Sequence, residues 1–106
     1  MEECFWIQVL QTQVSSNGKI CNYILACDIQ LYLFGSARFN NTPNDIDILL
    51  VYPDDRRITE VLEVKKLLIS FLQELNEVEI HMVLLTVREN EEINFIKKEG
   101  AVRIHI

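Results

Sequence analysis

Two aspartates, Asp45 and Asp47, flank a single isoleucine at the head of the apolar run Ile48-Leu49-Leu50-Val51-Tyr52. In an extended chain, residues two apart share a face, so both carboxylates point the same way. Like charges that close repel strongly unless a cation lies between them. Hard oxygen donors suit Mg²⁺ or Mn²⁺ better than Zn²⁺. A third acid, Glu79, opens a later apolar run, Val78 to Leu85. If that run lies beside the first, Glu79 completes a triad of acids. His81 falls on the same face, two residues on, and is expected outside the ligand set. Upstream, Leu31-Tyr32-Leu33-Phe34 stops at Gly35-Ser36. Glycine at a strand end lets backbone approach a ligand closely. The backbone N–H groups and the Ser36 hydroxyl can grip phosphate oxygens. Three acids with metal, facing such a turn, are the parts of two-metal phosphoryl or nucleotidyl transfer.

Taken singly, each of these features has a plainer explanation. Acids often open strands simply to meet water, Gly-Ser is common in loops, Glu79 could be a solvated strand-end residue, and a histidine such as His81 is more often a satisfied structural residue than a ligand. The weight lies in their combination and order along the chain.

The elements that must position them follow from hydrophobic periodicity. Phe5, Trp6, Val9 and Leu10 recur at helical spacing, and Ser15 to Lys19, with Gly18, makes a turn. Ile20, Ile24 and Leu25 predict a second short helix leading to a strand at Leu31. Pro53-Asp54-Asp55 is a turn. From Arg57 to Leu75, Ile58, Val61, Leu62, Leu68, Ile69, Leu72 and Leu75 form one stripe, which predicts a long helix. Thr86 and Glu89 have capping-box spacing ahead of a helix to about Lys98. Acids in its first turns and Lys97 and Lys98 in its last suit the helix dipole. Gly100 ends it, and Ala101 to Ile106 alternates as a final strand. The predicted fold class is α+β, a small mixed sheet flanked by helices, in a single domain spanning 1–106.

Composition narrows the function. The chain has 106 residues, 49% of them hydrophobic, enough to form a core without disulfides. No apolar run is long enough for a membrane span, and Met1-Glu2-Glu3 lacks a basic secretory start. The cysteines Cys4, Cys21 and Cys27 are odd in number and have no metal-binding spacing. They suit thiols in a cytoplasmic protein. A formal net charge of -6 argues against broad nucleic-acid binding. It still permits one nucleotide held through metal ions.

At these residues the chain resembles the DNA polymerase β-like nucleotidyltransferase superfamily, and within it the minimal nucleotidyltransferases. The shared pattern is a strand, a Gly-Ser turn, a spacer, then Asp-hydrophobic-Asp on the next strand. Here Phe34-Gly35-Ser36 is followed by Ala37 to Asn44 and then by Asp45-Ile46-Asp47. The spacer is slightly short. Arg38 precedes Phe39 where minimal members often have Arg-Gly, and Glu79 stands where aspartate is commoner. The resemblance covers about residues 22 to 106. It implies that Asp45, Asp47 and Glu79 are the catalytic, metal-binding residues, holding two Mg²⁺ (or Mn²⁺). Gly35, Ser36 and Arg38 would bind the triphosphate of an NTP, with ATP expected. The implied reaction moves AMP to a hydroxyl of a protein or small molecule and releases pyrophosphate. Minimal members often lack an acceptor-binding domain, and some resemble the antitoxin of a toxin-antitoxin pair. A partner chain or a homodimer would then supply the acceptor. The competing expectation is a non-catalytic nucleotide-binding or interaction module on the same fold. An aminoglycoside-type enzyme or a polymerase fits the size and charge less well.

Overall fold

A computed structural model describes residues 4–106; the acidic opening Met1-Glu2-Glu3 lies outside them. The chain forms helices α1 (Phe5–Ser16) and α2 (Gly18–Ala26), then strands β1 (Gln30–Phe34) and β2 (Asp45–Tyr52). A 19-residue helix, α3 (Ile58–Asn76), leads to β3 (Glu79–Thr86). Helices α4 (Val87–Ile93) and α5 (Phe95–Glu99) precede β4 (Val102–Ile104). This is the α+β class expected, with a four-stranded mixed sheet in the order β3-β2-β1-β4.

Strands β1 and β2 pair antiparallel through the loop that carries Gly35-Ser36. Strand β3 pairs parallel to β2, because α3 returns the chain to the end from which β2 started. Strand β4 pairs antiparallel to β1 on the other edge.

Alternation sorts the sheet into two unlike faces. Leu31, Leu33, Ile46, Ile48, Leu50, Tyr52 and Ile80 face the helical layer. There they pack with Leu10 and Val14 of α1, Ile20 and Ile24 of α2, and Val61, Val64, Leu68 and Leu72 of α3. The opposite face carries Asp45, Asp47, Leu49 and Val51 along β2. Leu49 and Val51 are buried, and α4 packs against this part of β2 and β3. Phe95 of α5 meets Phe34 edge to face, with ring centroids 5.0 Å apart. The cover stops there, and the aspartates at the head of β2 stay half-buried at its margin.

The capping box forms as expected. Glu89 N–H donates to Thr86 Oγ1 at 3.1 Å, and Thr86 N–H donates to Glu89 Oε1 at 2.9 Å. The helix expected to run on to Lys98 breaks at Asn94, which adopts the left-handed conformation (φ 57°). Its N–H caps α4 on the Asn90 carbonyl, and Ile96 N–H donates to the Asn90 side chain at 3.1 Å. Asparagine tolerates that conformation better than other residues with a Cβ. The break turns α5 so that Phe95 reaches Phe34. Strand β4 is shorter than the predicted Ala101–Ile106. Among the described residues, no helix is long and apolar enough to cross a membrane.

Candidate metal and nucleotide site

The site lies where β1 ends and where β2 and β3 begin. Gly35 takes φ 76° and ψ −163°, a backbone conformation open essentially to glycine alone. A Cβ there would also overlap the Asp47 carboxylate, coming within 3.1 Å of its Cγ. The missing side chain is therefore what lets the turn and the acid share this space. Ser36, Ala37 and Arg38 follow as one turn of 3₁₀-helix, whose Ser36 carbonyl accepts from Phe39 and Asn40 N–H at 3.0 Å each. Ala37 is buried, whereas Ser36 is exposed. Helix α1 and the residue that precedes it secure the loop: Trp6 Nε1–H donates to the Asn41 carbonyl at 3.2 Å, and Cys4 Sγ–H to the Ala37 carbonyl at 3.6 Å.

Arg38, expected on the triphosphate, acts as a tie. Its Nε–H donates to the Gly35 carbonyl and an Nη1–H to the Gly100 carbonyl, both at 3.0 Å. The turn is thereby fastened to the end of α5. Gly100 accommodates this because a Cβ at its position would sit 2.6 Å from Arg38 Nη1. The guanidinium retains unused N–H donors that a ligand could take. Phe39 stays clear of the turn. It is 82% exposed and lies beneath the Arg38 guanidinium at 4.6 Å.

Register decides which acids meet. Asp45 stands opposite Glu79, and Asp47 stands between Phe34 on one side and His81 on the other. All four polar residues share the open face. One ligand atom each from Asp45, Asp47 and His81 lie within 4.8 Å of one another. His81 Nδ1 is 3.4 Å from Asp47 Oδ1 and 3.7 Å from Asp45 Oδ2, while its Nε2 is 3.0 Å from Glu79 Oε1. Thus Asp45 and Asp47 come together as expected. Glu79 reaches the same face but engages the imidazole, and the third group against the aspartates is His81. Sequence parity alone had placed His81 on this face. Its position beside Asp47 depends on the β2–β3 register, which no local pattern encodes.

The electrostatics fit a site short of positive charge. Burial pushes Asp47 above the usual carboxylate range, and the Asp45 charge adds to the rise while His81 opposes it. His81 is raised, chiefly by its hydrogen bond to Glu79, with the three carboxylates adding and partial desolvation opposing. A divalent cation held between the carboxylates would relieve their repulsion. Two carboxylates and an imidazole are a competent donor set for a first-row divalent ion. The absence of a side chain at Gly35 lets the Asp47 carboxylate lie against the turn, so acid and backbone N–H groups stand side by side. The residues therefore fit a metal.

The site is open to solvent, with the side chains of Asp45, His81 and Glu79 39%, 47% and 69% exposed. A cleft of about 290 Å³, lined by Tyr23, Cys27, Arg57, Glu60 and Val64 among others, lies by the start of α3 at the other end of the sheet. Arg57 there is bound to Glu60 and to the Ala26 carbonyl. The chemistry-bearing groups are not in it.

The family model for the nucleotidyltransferase domain matches residues 14–104. The chain belongs to the nucleotidyltransferase domain family, and that domain implies a nucleoside triphosphate as substrate. No curated protein and no solved structure matches it.

Proposed function

We propose that this chain is a metal-dependent nucleotidyltransferase. It moves AMP from ATP to a hydroxyl of a protein or small-molecule acceptor, releasing pyrophosphate, in the cytoplasm. The observation that carries this is the meeting of Asp45 and Asp47 with a third-strand donor, directly beside a turn that only glycine can make. Asp45, Asp47 and the Glu79–His81 pair would hold Mg²⁺ or Mn²⁺. Bound metal supplies charge neutralisation at the phosphates and lowers the pKa of the attacking hydroxyl.

The chain's own residues do the positioning. Gly35 admits the phosphates close to the backbone, and Ser36 offers its hydroxyl and N–H to their oxygens. The tie from Arg38 to Gly35 and Gly100 keeps that turn in place before the nucleotide arrives, so little ordering is required on binding. The open groove suits a large acceptor, and a partner chain or a second copy, as in a toxin-antitoxin pair, would bring it. Alignment of the two reacting oxygens then accounts for much of the acceleration.

A second reading, a non-catalytic nucleotide-binding or interaction module, is favoured by one observation. Glu79 is engaged with His81 instead of standing free.

Titration of ATP, GTP, CTP and UTP with Mg²⁺ or Mn²⁺ into the wild type and into Asp45→Ala/Asp47→Ala tests both readings. The enzyme reading expects metal-dependent ATP binding, abolished in the double variant, and pyrophosphate release once an acceptor is supplied. No binding by the wild type would refute the enzyme reading and leave only an interaction module. Binding without pyrophosphate release, across candidate protein partners and the chain itself as acceptor, would favour the module.

A further inference from the structure

The two nitrogens of His81 face different partners. Nδ1 lies against Asp47 and Asp45, at 3.4 and 3.7 Å, and Nε2 lies against Glu79 at 3.0 Å. A neutral imidazole has one N–H and one lone pair. Donation of Nε2–H to Glu79 leaves the lone pair on Nδ1, aimed at the aspartates. Ligand atoms that share one small divalent ion, with bonds of about 2.1 Å, stand roughly 3–3.5 Å apart when adjacent in its shell. The Nδ1 separations are close to that range. Glu79 is in a different position: its side chain is 69% exposed, and its near oxygen is taken by the far nitrogen of the ring.

We propose that the metal of this chain is held by Asp45, Asp47 and Nδ1 of His81. Glu79 is a positioning residue that fixes the His81 tautomer, and the site consequently prefers Mn²⁺ to Mg²⁺. The proposal rests on the nucleotidyl-transfer reading of the same groove. The preference follows from the donor set. Mg²⁺ takes oxygen ligands and sheds water reluctantly, whereas imidazole suits the transition metals. An all-carboxylate site has no such bias. Hydrogen bonds of the Glu79–His81 kind orient a ligating imidazole and raise its basicity, and their removal typically weakens metal binding 10–100-fold.

The test uses the purified chain with Mn²⁺ alone, read by electron paramagnetic resonance, and Mg²⁺ as competitor. Protein-bound Mn²⁺ should resist Mg²⁺ up to more than tenfold excess. Spin-echo modulation should report a directly bound nitrogen, altered by ¹⁵N-histidine labelling. In His81→Asp the nitrogen signal should vanish and the preference for Mn²⁺ should fall close to unity. Glu79→Ala should weaken Mn²⁺ binding about tenfold, and Glu79→Gln should restore most of it, because its amide oxygen still accepts from Nε2–H. Circular dichroism checks that each variant is folded. Suppose Mn²⁺ binds, and is lost in Asp47→Asn, yet shows no nitrogen coupling, or keeps its preference in His81→Asp. The role of His81 would then be overturned while nucleotidyl transfer stands. If no Mn²⁺ binds with or without ATP, the metal-nucleotide reading falls and this proposal with it.

Discussion

Asp47 carries the conflict between folding and function most directly. It pairs in register with Phe34 and His81, touches the space above Gly35, and shares its face with Asp45. Burial and the Asp45 charge raise its pKa in the fold. A group raised above its unfolded value contributes stability that is full below the unfolded pKa, about 4 for a carboxylate. That contribution is lost as pH rises through the folded value. At pH 7.5 the ionised Asp47 therefore opposes folding of the metal-free chain. Asp47→Asn removes the charge and keeps the shape. Its metal-free melting temperature should rise by about 2–4 °C, equivalent to about 0.5 kcal/mol in a domain of this size. The same variant should lose the increase in melting temperature that Mn²⁺ gives the wild type. Differential scanning calorimetry with and without Mn²⁺ reads both. A metal-free value below that of the wild type would mean that the contact with His81 outweighs the repulsion.

Among the elements, the break between α4 and α5 shapes the site's flank. Asn94 holds φ 57° without being glycine. A left-handed residue with an ordinary side chain costs about 1–2 kcal/mol, so Asn94→Ala should lower the urea midpoint by the equivalent of about 1 kcal/mol with an unchanged slope. Asn94→Gly should stay within a few tenths of a kcal/mol of the wild type. Equal losses in both variants would show that the Asn94 side chain, not its backbone angle, matters. This break also marks the limit of what the sequence discloses. The stripe of α3, the Thr86–Glu89 capping box and the Asp-Ile-Asp entry to β2 are local patterns, and each was legible. The break was not, because Phe95 and Ile96 continue an apolar pattern past a residue that helices tolerate moderately. The contacts that complete the site are non-local. Arg38 reaches Gly100 across 62 positions, and His81 meets Asp47 only through a parallel register. Residue types could put His81 on the right face but could not say which residue of β3 would stand beside Asp47.

At the scale of the whole molecule, the sheet separates two tasks. One face packs on α1, α2 and α3 and supplies most of the buried apolar surface. The other has a shorter cover from α4 and α5, and the acids emerge at its edge. Leu68 of α3 and Leu49 of β2 are both fully buried, on opposite sides of the sheet. Truncating a buried leucine to alanine costs about 2–5 kcal/mol, a large share of the roughly 5–15 kcal/mol available to a domain. Both Leu68→Ala and Leu49→Ala should therefore melt well below the wild type. Their effects on ligands should differ. Leu68 is separated from the groove by the sheet itself, so the folded fraction of Leu68→Ala should bind metal and ATP within about twofold of the wild type. Leu49 lies two positions beyond Asp47 on the same face. A cavity there loosens the packing that holds the carboxylate, and misplaced ligands bind poorly. Leu49→Ala should accordingly weaken binding several-fold beyond its loss of folded protein. Measurements at 15 °C, normalised to the folded fraction by circular dichroism, make the comparison. Equal weakening in the two variants would show that the faces respond as one unit and that the core positions the site through the strand itself.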